Sequence, residues 1–253
     1  MSKKVLVYRD SGELMDEVSG RVIRTANRTL AKKKSMNIVL TGGSVGIGVL
    51  SAIDAAPNRS AVEWDRVHFW WGDERWVPAG HADRNDQQAR DALLNGLDIP
   101  EQNLHPFPAS DGGLDLEAAA ERYAADLAAA ADGDTVPHFD ILLLGVGPDG
   151  HIASLFPERA DLVDAPGTVV AVRNSPKPPP ERLSLTLAAI NSAERVWLAL
   201  AGADKASALG LALAGAGRYQ VPVAAAEGRR KTVFFVDEKA AAEVPAELIA
   251  SSY

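Results

Sequence analysis

The residues best suited to acid–base chemistry lie in one glycine-rich segment, residues 145–151, with the sequence GVGPDGH. The segment follows a short apolar run, so its glycines bend the chain directly after a predicted strand. Asp149 stands two residues before His151, where its carboxylate can orient the imidazole ring. We interpret His151 as a general base and Asp149 as the residue that orients it. The alternative is a turn histidine that backbone groups satisfy.

The same segment matches the G-x-G-x-x-G pattern of dinucleotide-binding loops. Two features disfavour that interpretation. Asp149 would place a negative charge beside the pyrophosphate. Pro157 follows so soon that an uninterrupted crossover helix of at least about ten residues is not expected to begin here.

A second glycine-rich segment, GGSVG at 42–46, joins a predicted strand to a predicted helix. Its glycines let the backbone approach a ligand closely, and N–H groups at a helix start favour an anion. We therefore predict that Gly42, Gly43 and Ser44 hold a phosphate; a tight turn with Ser44 as the helix N-cap is the alternative. The segment also matches the nucleophile elbow of serine hydrolases, but that serine usually follows several strands, and here one strand precedes it.

Four charged residues are candidates for substrate binding. Asp73 and Arg75 follow a nearly all-apolar strand, and three nearby tryptophans indicate partial burial, where ions need partners. Arg182 and Lys205 adjoin apolar stretches and could reach a phosphate. Taken singly, each of these cations is more typical of a solvated surface.

The composition excludes several classes of function. The 253 residues include no cysteine, so a disulfide, a thiolate zinc site and a cysteine nucleophile are excluded. The histidines show no metal-binding spacing, and we predict no metal site. A net charge of −8 argues against broad nucleic-acid or anionic-membrane binding. The N-terminal apolar run is too short for a signal peptide and no segment is long enough to span a membrane, so we expect a cytoplasmic protein.

Alternating apolar runs and amphipathic segments predict the fold. Strands are predicted at 4–9, 37–41, 67–72, 139–145, 168–173, 195–201 and 231–236, and helices at 11–31, 115–131 and 203–213. Several strands are apolar on both faces, which is typical of a sheet covered on both sides. We predict an α/β protein with a single doubly wound, mostly parallel sheet and helices on both faces, forming one domain over residues 1–253.

Four of these strands end in glycine followed by polar or charged residues, at 41–44, 72–75, 145–151 and 201–205. In a parallel sheet the four ends lie at one edge, where open α/β proteins bind their ligands. The candidate residues are therefore expected to converge there.

Five segments, in this order along most of the chain, resemble the 6-phosphogluconolactonase family. They are TGGSVG at 41–46, WWGDERWVP at 70–78, LLLGVGPDGHIASLFP at 142–157, RLSLTLAAIN at 182–191 and GADKA at 202–206. The resemblance implies a Rossmann-like fold of the glucosamine-6-phosphate deaminase type. It also implies hydrolysis of 6-phospho-D-glucono-1,5-lactone to 6-phospho-D-gluconate in the oxidative pentose phosphate pathway, with no cofactor.

The resemblance also implies roles for individual residues. His151 would activate water, Asp149 would support it, and Arg75 would bind near the lactone head. The phosphate side would be lined by Gly42, Gly43, Ser44, Arg182 and Lys205. The expected partner is a phosphorylated sugar lactone, and we expect a monomer or a weak homo-oligomer.

Two positions bear on the alternatives. The family usually has Asp-Ser-Asn-Tyr at 83–86, where this chain has DRND, so no role is assigned to Arg84 or Asp86. Related deaminases carry a glutamate five residues after the histidine, and Phe156 stands there in this chain. Because a phenyl ring cannot transfer protons, Phe156 favours the lactonase. The alternatives are a phosphosugar deaminase or isomerase, a serine esterase using Ser44, and a non-catalytic phosphosugar-binding regulator.

Overall fold

A seven-stranded parallel sheet forms the centre of the computed structural model, which describes residues 3–250. In spatial order its strands are β1 (Lys3–Tyr8), β10 (Lys231–Asp237), β9 (Arg195–Leu200), β6 (Phe139–Gly145), β2 (Met36–Leu40), β3 (Val67–Trp71) and β5 (Leu104–His105). Every strand pair in this sheet is parallel. The predicted α/β architecture with a doubly wound, mostly parallel sheet is confirmed.

Helices follow most of the strands. Their bounds are α1 (Ser11–Leu30), α2 (Gly43–Ala55), α3 (Asn85–Ala92), α4 (Leu116–Ala130), α5 (Ala160–Val163), α6 (Leu187–Asn191) and α7 (Ala206–Leu213). Asp10 and Asp115 begin α1 and α4 as N-caps, each accepting a backbone N–H three residues on. The predicted helices at 11–31 and 115–131 match within one residue at each end. Among residues 3–250, no helix is long and apolar enough to cross a membrane.

A second, smaller sheet was not predicted. It is antiparallel and contains β4 (Asp73–Arg75), β8 (Arg182–Leu185) and β7 (Val169–Val172). The strand predicted at 168–173 belongs to this sheet. Because β4 follows β3 after one residue, and β8 carries Arg182, this sheet brings two of the predicted cations beside the edge of the main sheet.

The strands of the main sheet do not alternate apolar and polar residues, because both of their faces are buried. In β6, residues Phe139 to Leu144 are all buried, although successive side chains point to opposite faces. Both faces of the strand are therefore covered. Tyr123 of α4 is fully buried, and its hydroxyl accepts the backbone N–H of Trp71 at 3.1 Å. This contact fixes α4 against the end of β3.

The chain winds in two directions from the middle of the sheet. From β2 it runs outward through β3 to β5, and from β6 it runs through β9 to β10 on the other side. The neighbours β2 and β6 therefore mark the topological switch point, where loops diverge and leave a crevice at the carboxyl ends of the strands. Both glycine-rich segments lie at this point.

Candidate active site

A cavity of about 310 Å³ opens at the carboxyl ends of β2, β6 and β9. Its lining includes eight of the nine predicted site residues: Gly42, Gly43, Ser44, Asp73, Arg75, His151, Arg182 and Lys205. The ninth, Asp149, contacts His151. The structure therefore brings all of the predicted residues to one place, at the switch point of the sheet.

His151 and Asp149 form a close polar pair at this cavity. The Nδ1 atom of His151 lies 2.5 Å from Oδ1 of Asp149. A carboxylate at this distance accepts the Nδ1 proton, which leaves Nε2 as the acceptor of the neutral ring. Burial acts to raise the pKa of Asp149, but the hydrogen bond from His151 and the charges of His151 and Lys177 outweigh it and lower that pKa to about 2.

Gly147 makes room for this pair. A Cβ atom at Gly147 would lie 2.0 Å from Nδ1 of His151 and 2.4 Å from Oδ1 of Asp149. Both contacts are far inside van der Waals distance, so a side chain here would displace the pair. The Gly147 N–H also donates to the carbonyl of His151 at 2.9 Å, which closes the loop. The glycine at this position is thus required by the packing of the histidine and the carboxylate.

Phe156 lies against His151. The two ring centroids are 4.7 Å apart and the rings are tilted by 37°. On the same phenyl ring, the guanidinium carbon of Arg182 lies 5.8 Å from the centroid. Phe156 is buried, so it acts as an apolar support that fixes the imidazole beside the cation.

The loop after β2 presents backbone N–H groups to the cavity. Helix α2 begins at Gly43, its N-cap is Gly42, and no side chain caps it. Ser44 therefore lies in the first turn, and the N-cap role considered for it is wrong. Gly43 has φ +82°, a left-handed conformation that favours glycine. Since the first N–H groups of a helix lack partners within the helix, this end suits an anion.

Arg75 is positioned by Asn85, a residue that the sequence did not identify. The Nη1 atom of Arg75 donates to Oδ1 of Asn85 at 2.5 Å and to the carbonyl of Asp83 at 2.9 Å. Asn85 in turn donates to the carbonyl of Asp73 at 2.8 Å. The carboxylate of Asp73 accepts the hydroxyl of Ser154 at 2.8 Å. These bonds hold the guanidinium at the cavity wall.

Glu74 and Arg84 lie under this wall rather than in it. Glu74 accepts the N–H groups of Asn85 and Asp86 at 2.7 and 3.0 Å and is fully buried. Burial raises the pKa of Glu74 to about 7 against the opposing charge of Arg84. Arg84 donates to the carbonyl of Phe107 at 2.7 Å and pairs with Asp86 at 2.6 Å. Within the 83–86 segment, Arg84 and Asn85 are buried, and the segment supports Arg75 through Asn85 and the carbonyl of Asp83.

The proline-rich loop at 175–180 adds a cation that the sequence did not identify. The Nζ atom of Lys177 lies 3.4 Å from Nδ1 of His151 and 3.9 Å from Oδ1 of Asp149. Arg182 donates to the carbonyls of Lys177, Pro178 and Pro179 at 3.0–3.2 Å, so it anchors this loop as well as lining the cavity. The proline-rich sequence of this loop, SPKPPP, gives no sign that its lysine reaches the histidine.

Four cations converge on the cavity: Arg75, Lys177, Arg182 and Lys205. Burial lowers the pKa of Lys177, and the neighbouring Lys205 and Arg182 lower it further against the charge of Asp149. Burial also lowers the pKa of Arg182. With Asp73 as the one carboxylate among the lining residues, the cavity favours an anionic ligand.

Comparison with known proteins places this site in context. The model of the family described as glucosamine-6-phosphate isomerases/6-phosphogluconolactonase matches residues 9–235. A 6-phosphogluconolactonase of Streptomyces coelicolor is 46% identical over 250 residues, covering 97% of this chain and 96% of the relative. One from Mycobacterium leprae is 47% identical over 248 residues, covering 97% and 100%. The solved structure of 6-phosphogluconolactonase from Trypanosoma brucei has a TM-score of 0.83 at 28% identity, covering 96% of this chain and 99% of that one.

Proposed function

Because the chain belongs to the glucosamine-6-phosphate isomerase/6-phosphogluconolactonase family, we propose that it hydrolyses 6-phospho-D-glucono-1,5-lactone to 6-phospho-D-gluconate, with His151 as general base. The observation that carries the proposal is the His151–Asp149 pair at the wall of a cavity lined by four cations. A phosphorylated lactone needs both features, a base for water and positive charge for the phosphate.

The first step is attack by water. Nε2 of His151 takes a proton from a water molecule as the water oxygen bonds to the lactone carbonyl carbon. The carbonyl electron pair moves to oxygen and gives a tetrahedral oxyanion. Asp149, which holds Nδ1–H, stabilises the imidazolium that forms.

The second step opens the ring. The oxyanion re-forms the carbonyl as the bond to the ring oxygen breaks, and the imidazolium returns its proton to that oxygen. The products are a carboxylic acid, which ionises, and a free hydroxyl on the same chain. A lactone carbonyl is already activated, so no covalent enzyme nucleophile is required.

Two cations of the cavity suit the developing negative charge. We assign Arg75 to the lactone head, where its guanidinium lines the cavity and is held by Asn85. We assign Lys177 to the oxyanion, because its ammonium lies 3.4 Å from the imidazole of the base. Fixed charges beside a reacting carbonyl lower the barrier without reorganising during the reaction.

The cavity wall at the start of α2 suits the phosphate. Gly42, Gly43 and Ser44 offer N–H groups there, and we assign the phosphate to this end of the cavity with Lys205. Arg182, which also packs on Phe156 beside His151, contributes a further positive charge to the phosphate. Thr41 joins this loop to the catalytic loop, because its Oγ1 accepts the N–H of Gly145 at 3.2 Å. The distance between base and phosphate site is thereby fixed by two adjacent strands.

The alternatives lack what their chemistry needs. The hydroxyl of Ser44 forms no hydrogen bond with any of residues 3–250, whereas a serine nucleophile needs an adjacent base. A deaminase would use an acid–base group where the buried Phe156 stands. A binding regulator would not need a histidine paired with a carboxylate.

A lactonase assay tests the proposal. Freshly prepared 6-phosphogluconolactone is mixed with the protein, and the rate is corrected for spontaneous hydrolysis. We expect turnover well above that background and no turnover of glucosamine 6-phosphate. Release of ammonia from the amino sugar, without lactone hydrolysis, would assign the site to the deaminase activity instead.

A further inference from the structure

A second cavity, of about 340 Å³, lies at the opposite edge of the main sheet. It is formed where β6, β9 and β10 begin and where α1 ends, whereas the candidate active site lies where the strands end. Its lining residues are Thr25, Arg28, Thr29, Lys32, Lys33, Asp140, Glu194, Arg195, Arg230 and Lys231. None of them belongs to the proposed lactonase site.

The lining is strongly cationic. It contains six lysine or arginine side chains and two carboxylates, although the whole chain has a net charge of −8. Both carboxylates already have cationic partners. Lys33 pairs with Asp140 at 2.6 Å, and Arg195 and Arg230 pair with Glu194 at 3.0 and 3.1 Å. The lining therefore keeps an excess of positive charge, to which the exposed Arg28 and Lys32 belong.

Four of the lining residues come from the end of α1 and the turn after it. Thr25, Arg28 and Thr29 share one face of the helix, and Lys32 lies in the turn two residues beyond Leu30, where α1 ends. The side chains of Arg28 and Lys32 form no ion pair or hydrogen bond with residues 3–250, and both are exposed. Two hydroxyl groups and two unpaired cations thus point to the same side.

The cations of this cavity also act on each other. Burial lowers the pKa of Lys231, and the charges of Lys4, Arg230 and Arg195 lower it further. Like charges held this close favour an anion that would lie between them. A metal ion is disfavoured for the same reason. His138, Asp140 and Glu194 have ligand atoms within 4.8 Å of one another, but lysine and arginine occupy both carboxylates.

We propose that this cavity is a second anion-binding site, and that it takes a small molecule with at least two phosphate groups. Its volume is close to that of the candidate active site, so it accommodates a ligand of metabolite size. Six cations against two carboxylates leave the lining a formal excess of four positive charges, which one phosphate group of about two negative charges balances only in part. A diphosphate carries the larger negative charge and could reach both the end of α1 and the strand starts. The acidic chain as a whole disfavours a nucleic acid as the occupant.

The test uses inorganic pyrophosphate as the probe and calorimetry on the full chain at low salt. The variant Arg28→Gln/Lys32→Gln removes the two unpaired cations. The matched control, Arg24→Gln/Lys34→Gln, removes the same charge from exposed positions that do not line the cavity. We expect the first variant to weaken binding by about tenfold or more and the control to change it little. Orthophosphate should bind more weakly than pyrophosphate.

Hydrogen exchange locates the probe independently of its affinity. Pyrophosphate should slow exchange at the end of α1 and at the start of β9 and β10 in wild type, but not in Arg28→Gln/Lys32→Gln. Lactonase kcat/KM without pyrophosphate should be the same in both variants, because neither touches the candidate active site. Equal weakening by both variants, protection confined to the candidate active site, or no binding would overturn the proposal. Equal affinity for orthophosphate would overturn the requirement for two phosphates.

Discussion

The Nδ1 atom of His151 lies 2.5 Å from Oδ1 of Asp149, and a Cβ atom at Gly147 would collide with both side chains. The pair is thus built into the bend of the loop rather than formed by two mobile side chains. Asp149 fixes which ring nitrogen carries the proton, and so which one is available to water.

Asp149→Asn should lower kcat by about 10²–10⁴ with little change in KM. The amide keeps the size of the side chain, but its NH₂ group favours the opposite histidine tautomer, in which Nε2 carries the proton and cannot accept one. Steady-state kinetics on 6-phosphogluconolactone measures the loss. An equal loss from Asp161→Asn, an exposed carboxylate outside the cavity, would show that the effect is not specific to the pair.

Asp149→Asn should also change how the free energy of unfolding depends on pH. The pKa of Asp149 is lowered to about 2, below the value of about 3.9 for an unfolded aspartate. A lowered carboxyl pKa adds stability that is present above about pH 4 and is lost as the pH falls through about 2. The difference in free energy of unfolding between wild type and Asp149→Asn should therefore shrink between pH 4 and pH 2. Denaturant unfolding over that range that shows a constant difference would contradict this assignment.

Ser44 should bind phosphate and should not act as a nucleophile. It lies in the first turn of α2, and its hydroxyl donates no hydrogen bond to a base among residues 3–250. A fluorophosphonate probe should leave Ser44 unlabelled, as judged by intact mass and peptide mapping. Stoichiometric labelling with loss of activity would favour the serine esterase.

Lys205→Ala should reduce kcat/KM on the phosphorylated lactone by roughly tenfold to a hundredfold, the usual effect of losing one charge-assisted hydrogen bond. Activity on unphosphorylated gluconolactone should hardly change, because that substrate lacks the group that Lys205 is proposed to bind. Equal losses on both substrates would assign Lys205 to the chemistry or to the fold.

Lys177→Gln, unlike Lys205→Ala, should lower activity on the phosphorylated and the unphosphorylated lactone alike. If Lys177 stabilises the oxyanion, its loss should lower kcat by on the order of 10² on both lactones, since both develop the same charge. Lys239→Gln, which removes an exposed lysine outside the cavity, is the control. A loss confined to the phosphorylated lactone would move Lys177 to the phosphate end.

The sequence predicted the main sheet because its long strands are apolar on both faces. The missed strands β4, β5 and β8 have only two to four residues, and their pairing depends on contacts distant in sequence. At the site, the glycines that follow β2 and β6 were enough to predict both ligand-binding loops from the sequence. The roles of Lys177 and Asn85 could not be predicted, because the sequence of a proline-rich loop or of a helix start does not show which residues it contacts. The assignment of residues 1–253 to one domain stays a prediction.

The kcat of His151→Asn on freshly prepared 6-phosphogluconolactone tests most directly whether His151 is the general base. Asparagine is polar and of similar reach, but it cannot accept a proton from water at neutral pH. We predict that kcat falls by on the order of 10²–10⁴ and that KM stays within a few-fold, since the phosphate end and Arg75 are untouched. A variant that folds normally and keeps near-normal kcat would contradict the proposed role of His151 and place the base elsewhere, with Asp73 the next carboxylate at the cavity wall.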